Sequence, residues 1–231
     1  MLEFIFSSKN RQKLAQEKIA ALENENLELK KNIENLQNPM EPIHEWKSLY
    51  GDFEYNKDYN ALNISGLDKE SGWIRGEIVH AVKQIKDTLN SALLPGEDNG
   101  LKKVYSNLLA IPEQNIKTTG LHSQVDYEWN FEKAHPPFGK FDIIITQAML
   151  EHLIDPYSHV KDLANSLNQG GYLILHTVVP GFPYHRYPID CMRFYPDWFE
   201  EVAKRLQLDI SYKYIGEKRI LYCFHNLKKS I

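Results

Sequence analysis

The sequence predicts an α/β protein with a doubly wound, mostly parallel sheet, an antiparallel closing strand and a separate N-terminal helix. Three observations carry this. Phe141-Asp142-Ile143-Ile144-Ile145-Thr146-Gln147 is an apolar, β-branched run, and Tyr172 to Val179 is a second. Between them lie a helix-like segment to Leu167 and the breaker Asn168-Gln169-Gly170-Gly171, so the two runs read as parallel strands of one βαβ unit. Finally, Leu208 to Ile215 and Arg219 to Phe224 flank the turn Gly216-Glu217-Lys218, which reads as an antiparallel pair preceded by a helix over 197–206.

Length and composition set the bounds. The chain has 231 residues, room for one sizeable domain and an appendage. Its hydrophobic content of 42% and aromatic content of 12% suit a packed core. A net charge of −4 without a basic run speaks against nucleic-acid binding. The two cysteines, Cys191 and Cys223, form no CxxC pair, so a reducing compartment is expected; Cys191, beside Asp190, is read as a small buried residue rather than a nucleophile. Met1 to Phe6 is apolar but too short for a signal peptide and without a basic leader, and no run reaches the length of a membrane helix. A soluble, cytoplasmic chain with no membrane contact is expected.

Residues 1–38 are read as a helix that pairs in a parallel coiled coil. Ala15, Leu22, Leu29 and Leu36 fall at d, Ile19 and Ile33 at a, and Asn26 at the one polar a position. Lys18 faces Glu23 of a partner, and Glu25 faces Lys30, so a homodimer is favoured over a single solvated helix. Pro39 and Pro42 end the segment, residues 39–59 form an entry linker, and residues 60–231 form the α/β domain.

The first strand is placed at residues 60–66. Ile74, Ile78, Val82, Ile85 and Leu89 then step at helical spacing, giving a crossover helix over 72–93 with Ser71 as its cap and Pro95-Gly96 at its close. A strand near 101–108 follows. Placing strands at both 101–111 and 116–121 is rejected, because Pro112 to Asn115 is too short for a parallel crossover.

The order FDIIITQAMLEHLIDP, NQGGYLILHT and a polar aromatic loop resembles the C-terminal half of class I S-adenosylmethionine-dependent methyltransferases. The resemblance implies a Rossmann-like methyltransferase fold, in which the two runs are the fourth and fifth strands. It also implies S-adenosylmethionine as cofactor. Its glycine signature is degenerate here: Asn63 stands in the acidic place, with Gly66 and Gly72 remaining. On this register Ser65 and Gly66 line the cofactor turn. Asp126 matches the acidic residue beside the adenine, or is a surface loop carboxylate. Gln147 and Glu151 follow the fourth strand, near the cofactor. His152 beside Glu151 reads as a packed histidine.

Ligands of open α/β sheets sit beyond the carboxyl ends of the strands, which selects residues 146–152 and 176–193. The second stretch contains His185-Arg186-Tyr187-Pro188-Ile189-Asp190-Cys191-Met192-Arg193-Phe194. Its pattern H-x-x-P-x-D-x-x-R-F resembles a loop of methyltransferase-like proteins that modify sugars and polysaccharides. His185 is the candidate base for a hydroxyl, with Asp190 orienting it or binding a sugar hydroxyl. Arg193 pairs with an acid of the ligand, or with Asp190 as a structural ion pair. His176 faces either cleft or core. None of the nine histidines lies in an HxH, HxxxH or HExxH pattern, so no metal site is assigned; one would need a spatial cluster such as His152, His176, His185 and Asp190. The expected activity is methyl transfer to a hydroxyl or amine of a small polar acceptor, such as a sugar or glycan precursor. The rivals are a dimeric binding or scaffold protein without cofactor, and a hydrolase or metal enzyme in the same cleft.

Overall fold

The computed structural model describes residues 16–30 and 74–227. The chain divides into two compact units, Met1–Asp52 and Phe53–Ile231. In the first, residues 16–30 form a helix, α1, whose side chains are all exposed. The expected linker at 39–59 lies outside the described residues.

The second unit carries a seven-stranded sheet. Its elements in chain order are α2 (Gly76–Gln84), β1 (Ala92–Pro95), α3 (Lys102–Leu109), β2 (Ile116–Gly120), β3 (Tyr127–Glu128), β4 (Phe141–Gln147), α4 (Pro156–Asn165), β5 (Leu167–Val178), α5 (Pro196–Leu206), β6 (Asp209–Ile215) and β7 (Arg219–His225). The strand order is β3-β2-β1-β4-β5-β7-β6. Strands β1 to β5 pair in parallel, while β7 runs antiparallel to both β5 and β6.

The central strands are buried on both sides, and the period-2 rule sorts their side chains between two helical layers. Ala92, Leu94, Ile143, Ile145, Ile174, Leu221 and Cys223 pack with Ile78 and Val82 of α2 and with Val104 and Tyr105 of α3. Helices α4 and α5 pack against each other, α4 on β5 and α5 on β6 and β7. There Phe199 of α5 stacks on Tyr222, with ring centroids 4.7 Å apart. Both helices start with proline in the first turn, where its missing N–H is not needed. Asp155 caps α4 by accepting from Ser158 N at 3.0 Å.

The βαβ unit at 141–178, the helix expected at 197–206 and the closing antiparallel pair stand where the sequence places them. The glycine breaker does not separate α4 from β5. It lies inside β5, whose pairing with β4 shifts register between Phe141 and Ile143. Gly170 takes φ +74°, and a Cβ on Gly171 would come within 2.9 Å of the Asn168 carbonyl, so glycine is required at this bulge.

The N-terminal register needs correction. The segment at 101–108 is helix α3, not a strand. The crossover helix does not run over 72–93: α2 covers only Gly76–Gln84, its N-cap is Arg75, and Ala92–Pro95 is strand β1. Pro95-Gly96 ends that strand rather than a helix. The physical reason is the spacing itself. Four buried residues suffice for a central strand, and Leu101, Val104 and Leu108 recur at helical steps. Residues 60–66 and Ser71 lie outside the described residues.

Ile144 is wholly buried in β4 and pairs with Leu93 and Leu173. Ile144→Ala should therefore lower unfolding free energy by about 2–5 kcal/mol. A urea titration giving less than about 1 kcal/mol would place this residue outside the core.

Candidate functional site

The parallel strands bring their carboxyl ends to one rim, and three segments meet there: the turn after β1, the turn after β4 and the long loop after β5. The first is Pro95-Gly96-Glu97-Asp98-Asn99-Gly100, between β1 and the start of α3. This is the strand-to-helix turn of the first βα unit described; Ser65 and Gly66, expected to line the cofactor turn, lie outside the described residues. Gly96 takes φ +86° and donates its N–H to the Thr119 carbonyl at 2.8 Å. A Cβ on Gly96 would sit 3.3 Å from Met149 Sδ, so the turn closes tightly onto the segment after β4. Asp98 bonds Gly100 N at 2.7 Å, and Thr118 Oγ1 donates to Asn99 Oδ1 at 2.7 Å. Glu97 is buried and accepts from Tyr105 Oη at 3.3 Å.

The second segment turns at Ala148, which adopts φ +49° and donates its N–H to the His176 carbonyl at 2.8 Å. A left-handed alanine costs about 1–2 kcal/mol, a strain of the kind kept at functional rims. The turn directs Met149 to Gly96 and begins the short helical turn Leu150–His152. Gln147, at the end of β4, accepts from Arg75 N at 2.9 Å.

Glu151 is wholly buried. Its Oε2 accepts from the Thr177 hydroxyl at 2.6 Å, and its backbone carbonyl accepts from Cys191 N at 2.8 Å and Met192 N at 3.2 Å. Its Oε1 has no hydrogen-bond partner among the described residues and lies 3.7 Å from His185 Nε2. His152 is half-buried, not packed in the core as expected. Its Nδ1 bonds the Ile189 carbonyl, and its ring meets that of His185 edge-on at 4.9 Å.

The loop after β5 is organised by Asp190, whose side chain is 1% exposed. Its carboxylate takes a two-pronged bond from Arg193, Nη1 to Oδ1 at 2.5 Å and Nη2 to Oδ2 at 2.7 Å. It also accepts from His185 N at 2.7 Å and lies 3.5 Å from His185 Nδ1. Arg193 donates further to the carbonyls of Met192 and Pro183. The structural ion pair that the sequence left open is therefore present, and it also positions His185. The hydrogen bonds from Arg193 hold the Asp190 carboxyl well below the ordinary range, against the opposing effect of burial.

Two candidates lie elsewhere. His176 is wholly buried in β5, and neither ring nitrogen has a hydrogen-bond partner among the described residues. Burial, reinforced by Arg219 and Arg75, pushes its pKa down to about 3, so it stays neutral and belongs to the core. Asp126 binds Lys102 Nζ at 2.7 Å and Thr118 N at 2.8 Å, tying α3 to β2. Burial opposes its charge, yet those bonds outweigh it and keep its carboxyl below the usual value. Cys191 is exposed rather than buried as expected, and Cys223 is buried. Sequence reasoning missed the Gly96 turn and its contact with Met149. The signal was available in the pair Gly96 and Gly100 directly after a short apolar run.

No protein-family model matches the chain. It is 30% identical over 92 residues to a ubiquinone biosynthesis O-methyltransferase of Parvibaculum lavamentivorans, covering 37% of this chain and 36% of that protein. It is 25% identical over 156 residues to the ubiquinone biosynthesis O-methyltransferase of Aromatoleum aromaticum, covering 64% of this chain and 63% of that one. The chain thus spans less than two thirds of the length of either relative. A methyltransferase of Haloferax volcanii, solved in complex with the Trm112 activator, superposes with a TM-score of 0.51 at 11% identity, over 66% of this chain and 89% of that one. The fold is the Rossmann-like class I methyltransferase fold. No helix among the described residues is long and apolar enough to cross a membrane.

Asp190→Asn should free the loop. With Arg193 and His185 losing a charged acceptor worth about 1.5–3 kcal/mol, trypsin cleavage after exposed Arg186 should speed up at least about tenfold at neutral pH. Because the folded pKa of Asp190 is depressed, its contribution is complete above the unfolded value near 3.9 and disappears as pH falls through the folded one. Wild type should therefore lose thermal stability in acid by more than Asp190→Asn does. Parallel losses would deny the carboxylate this role.

Proposed function

We propose that the chain is an S-adenosylmethionine-dependent O-methyltransferase acting on a small polar acceptor. The observation that carries the reading is the meeting of the Gly96 turn with Met149, two residues before Glu151 and the cluster it forms with His152 and His185. A nucleotide cofactor suits the rim. Gly96 leaves its backbone open to close approach, and the hydroxyls of Thr119 and Thr146, at the ends of β2 and β4, are buried without partners among the described residues. The similarity to O-methyltransferases supports an oxygen rather than a nitrogen as acceptor atom.

The residues that would hold the cofactor are those of the turn 95–100 together with Gln147. Bound there, S-adenosylmethionine supplies an electrophilic methyl group that passes to the acceptor oxygen, leaving the thioether. The chain's own part is positioning and removal of the hydroxyl proton. His185 receives that proton at Nε2, the nitrogen that faces Glu151; Asp190 and Arg193 fix its backbone and ring. Glu151 Oε1 lies 3.7 Å from that nitrogen. Exposed Tyr184 and Tyr187 on the same loop offer flat surfaces for a sugar ring or a similar acceptor.

A second copy of the chain is the proposed partner of α1. Ile19, Leu22 and Leu29 are each more than half exposed on it, 55%, 53% and 51%, and burying such side chains is worth roughly 1.5–3 kcal/mol each.

Titration calorimetry with S-adenosylmethionine tests the main reading. Saturable heat is expected, and His185→Ala should reduce turnover about 100-fold or more while changing cofactor affinity less than about twofold. Folded protein that yields no heat would favour the cofactor-free binding protein instead. Light scattering tests the pairing: removing residues 1–38 should convert dimers to monomers. Dimers that survive the truncation would place the interface in the α/β unit.

A further inference from the structure

We propose that Glu151, His152 and His185 hold one divalent transition-metal ion, zinc being the best match, and that this ion receives the acceptor hydroxyl. The inference rests on the methyl-transfer reading for its purpose and on the geometry alone for the site. Each of the three residues offers one ligand atom, and these atoms lie within 4.8 Å of one another.

What separates this cluster from a chance gathering is how each residue's other polar atom is used. Glu151 commits Oε2 to the Thr177 hydroxyl, and its Oε1 is buried, without a hydrogen-bond partner among the described residues, and 3.7 Å from His185 Nε2. His152 commits Nδ1 to the Ile189 carbonyl, which leaves Nε2. His185 turns Nδ1 toward Asp190 Oδ2 at 3.5 Å and the Pro183 carbonyl at 3.4 Å, again leaving Nε2. Metal-bound histidines characteristically donate their second N–H to a carboxylate or a backbone carbonyl, which fixes tautomer and ring direction. Here each histidine has its Nδ1 on a backbone carbonyl, Ile189 for His152 and Pro183 for His185, and the Asp190 carboxylate stands beside the second at 3.5 Å.

The donor set also selects the ion. Two imidazoles and one carboxylate suit zinc and its neighbours better than magnesium or calcium, which prefer oxygen. Two donors about 2.0–2.1 Å from a tetrahedral ion stand about 3.3 Å apart, so the 3.7 Å between Glu151 Oε1 and His185 Nε2 needs only a small closure. Three protein ligands leave a fourth position for the acceptor oxygen. A buried, unbonded carboxylate oxygen is costly by itself, and a cation bound to it offsets that cost.

Coordination lowers the pKa of a bound hydroxyl toward neutrality, and its proton then leaves to solvent. His185 is thereby the base of the ion-free site and a ligand of the loaded one. Asp190 and Arg193 serve as positioning residues in both states.

The test is direct metal binding by the full-length protein, stripped with chelator, with zinc chloride as the calorimetric probe and cobalt chloride as the spectroscopic one. One zinc per chain is expected, and cobalt should develop visible absorption of a nitrogen-ligated site. Glu151→Gln and His185→Ala should each weaken zinc roughly 100-fold, whereas His122→Ala, on an exposed loop away from the cluster, should leave it unchanged. If either variant fails to fold by circular dichroism, His152→Phe supplies the same comparison. Zinc affinity that is absent, or that survives the ligand changes, overturns the site. Zinc binding without S-adenosylmethionine heat would sustain the metal site and end the methyl-transfer reading; the reverse result would sustain methyl transfer with His185 as a simple base.

Discussion

Glu151 is where the rim is tied together. Its three sets of contacts reach β5 and two places on the loop that follows it: Oε2 to Thr177 on β5, the backbone carbonyl to Cys191 and Met192 on the loop, and Oε1 beside His185 on the same loop. A carboxylate buried this deeply needs such company, because each unsatisfied oxygen carries a desolvation cost of about 1–3 kcal/mol or more. The same need gives the cluster its geometry. The loop after β5 cannot move away without stripping Glu151 of backbone donors, so the position of His185 is coupled to the burial of a residue thirty-four places earlier.

The parallel sheet makes this coupling possible. In adjacent parallel strands β4 and β5, residues Gln147 and His176 pair, so the segments that leave them begin side by side. Strand β1 pairs with β4 on its other side and delivers Gly96 to Met149. Three segments far apart in sequence therefore meet within one turn of their strand ends, as open α/β sheets require. The left-handed alanine at 148 is the local strain by which Met149 and Glu151 turn to opposite partners, one toward the Gly96 turn and the other toward β5.

How much of this was legible depended on how strongly each segment declares its period. β4 and β5 were readable because long β-branched runs bracket a helix with a proline start. β1 was not, since Ala92-Leu93-Leu94-Pro95 is four residues long and continues the apolar spacing of α2. Pro112 to Asn115 is too short for a parallel crossover between two strands, yet of the two candidates it was the strand at 116–121 that proved real and the one at 101–108 that did not. A helix there satisfies the same rule, and α3 is that helix. In the loop after β5, His185, Asp190 and Arg193 stood out through spacing, and their mutual bonds follow from it. His152, His185 and Asp190 were named together, with His176, as a possible spatial cluster, but the approach of Glu151 to His185 could not be read, because nothing in either local pattern reveals a contact across thirty residues. For His176 the ambiguity was one of register, and in a strand buried on both faces no alternation resolves it.

Asp190 shows why the ion-pair and functional readings of this loop are not alternatives. Its bond to Arg193 is of the kind that stabilises a loop and nothing more when it stands alone. Here the same carboxylate also takes the His185 backbone N–H and lies 3.5 Å from Nδ1, whose hydrogen bond goes to the Pro183 carbonyl, so the charge that holds the loop also holds the imidazole in place. With Nδ1 turned to Asp190, the nitrogen left for chemistry is Nε2, which points to the unbonded oxygen of Glu151. An imidazole and a carboxylate at that separation are too far apart for a good hydrogen bond and too close to ignore each other. A third party between them, whether the proton of an acceptor or a cation, is what the spacing accommodates, and the loop's ion pair is the part of the fold that preserves it.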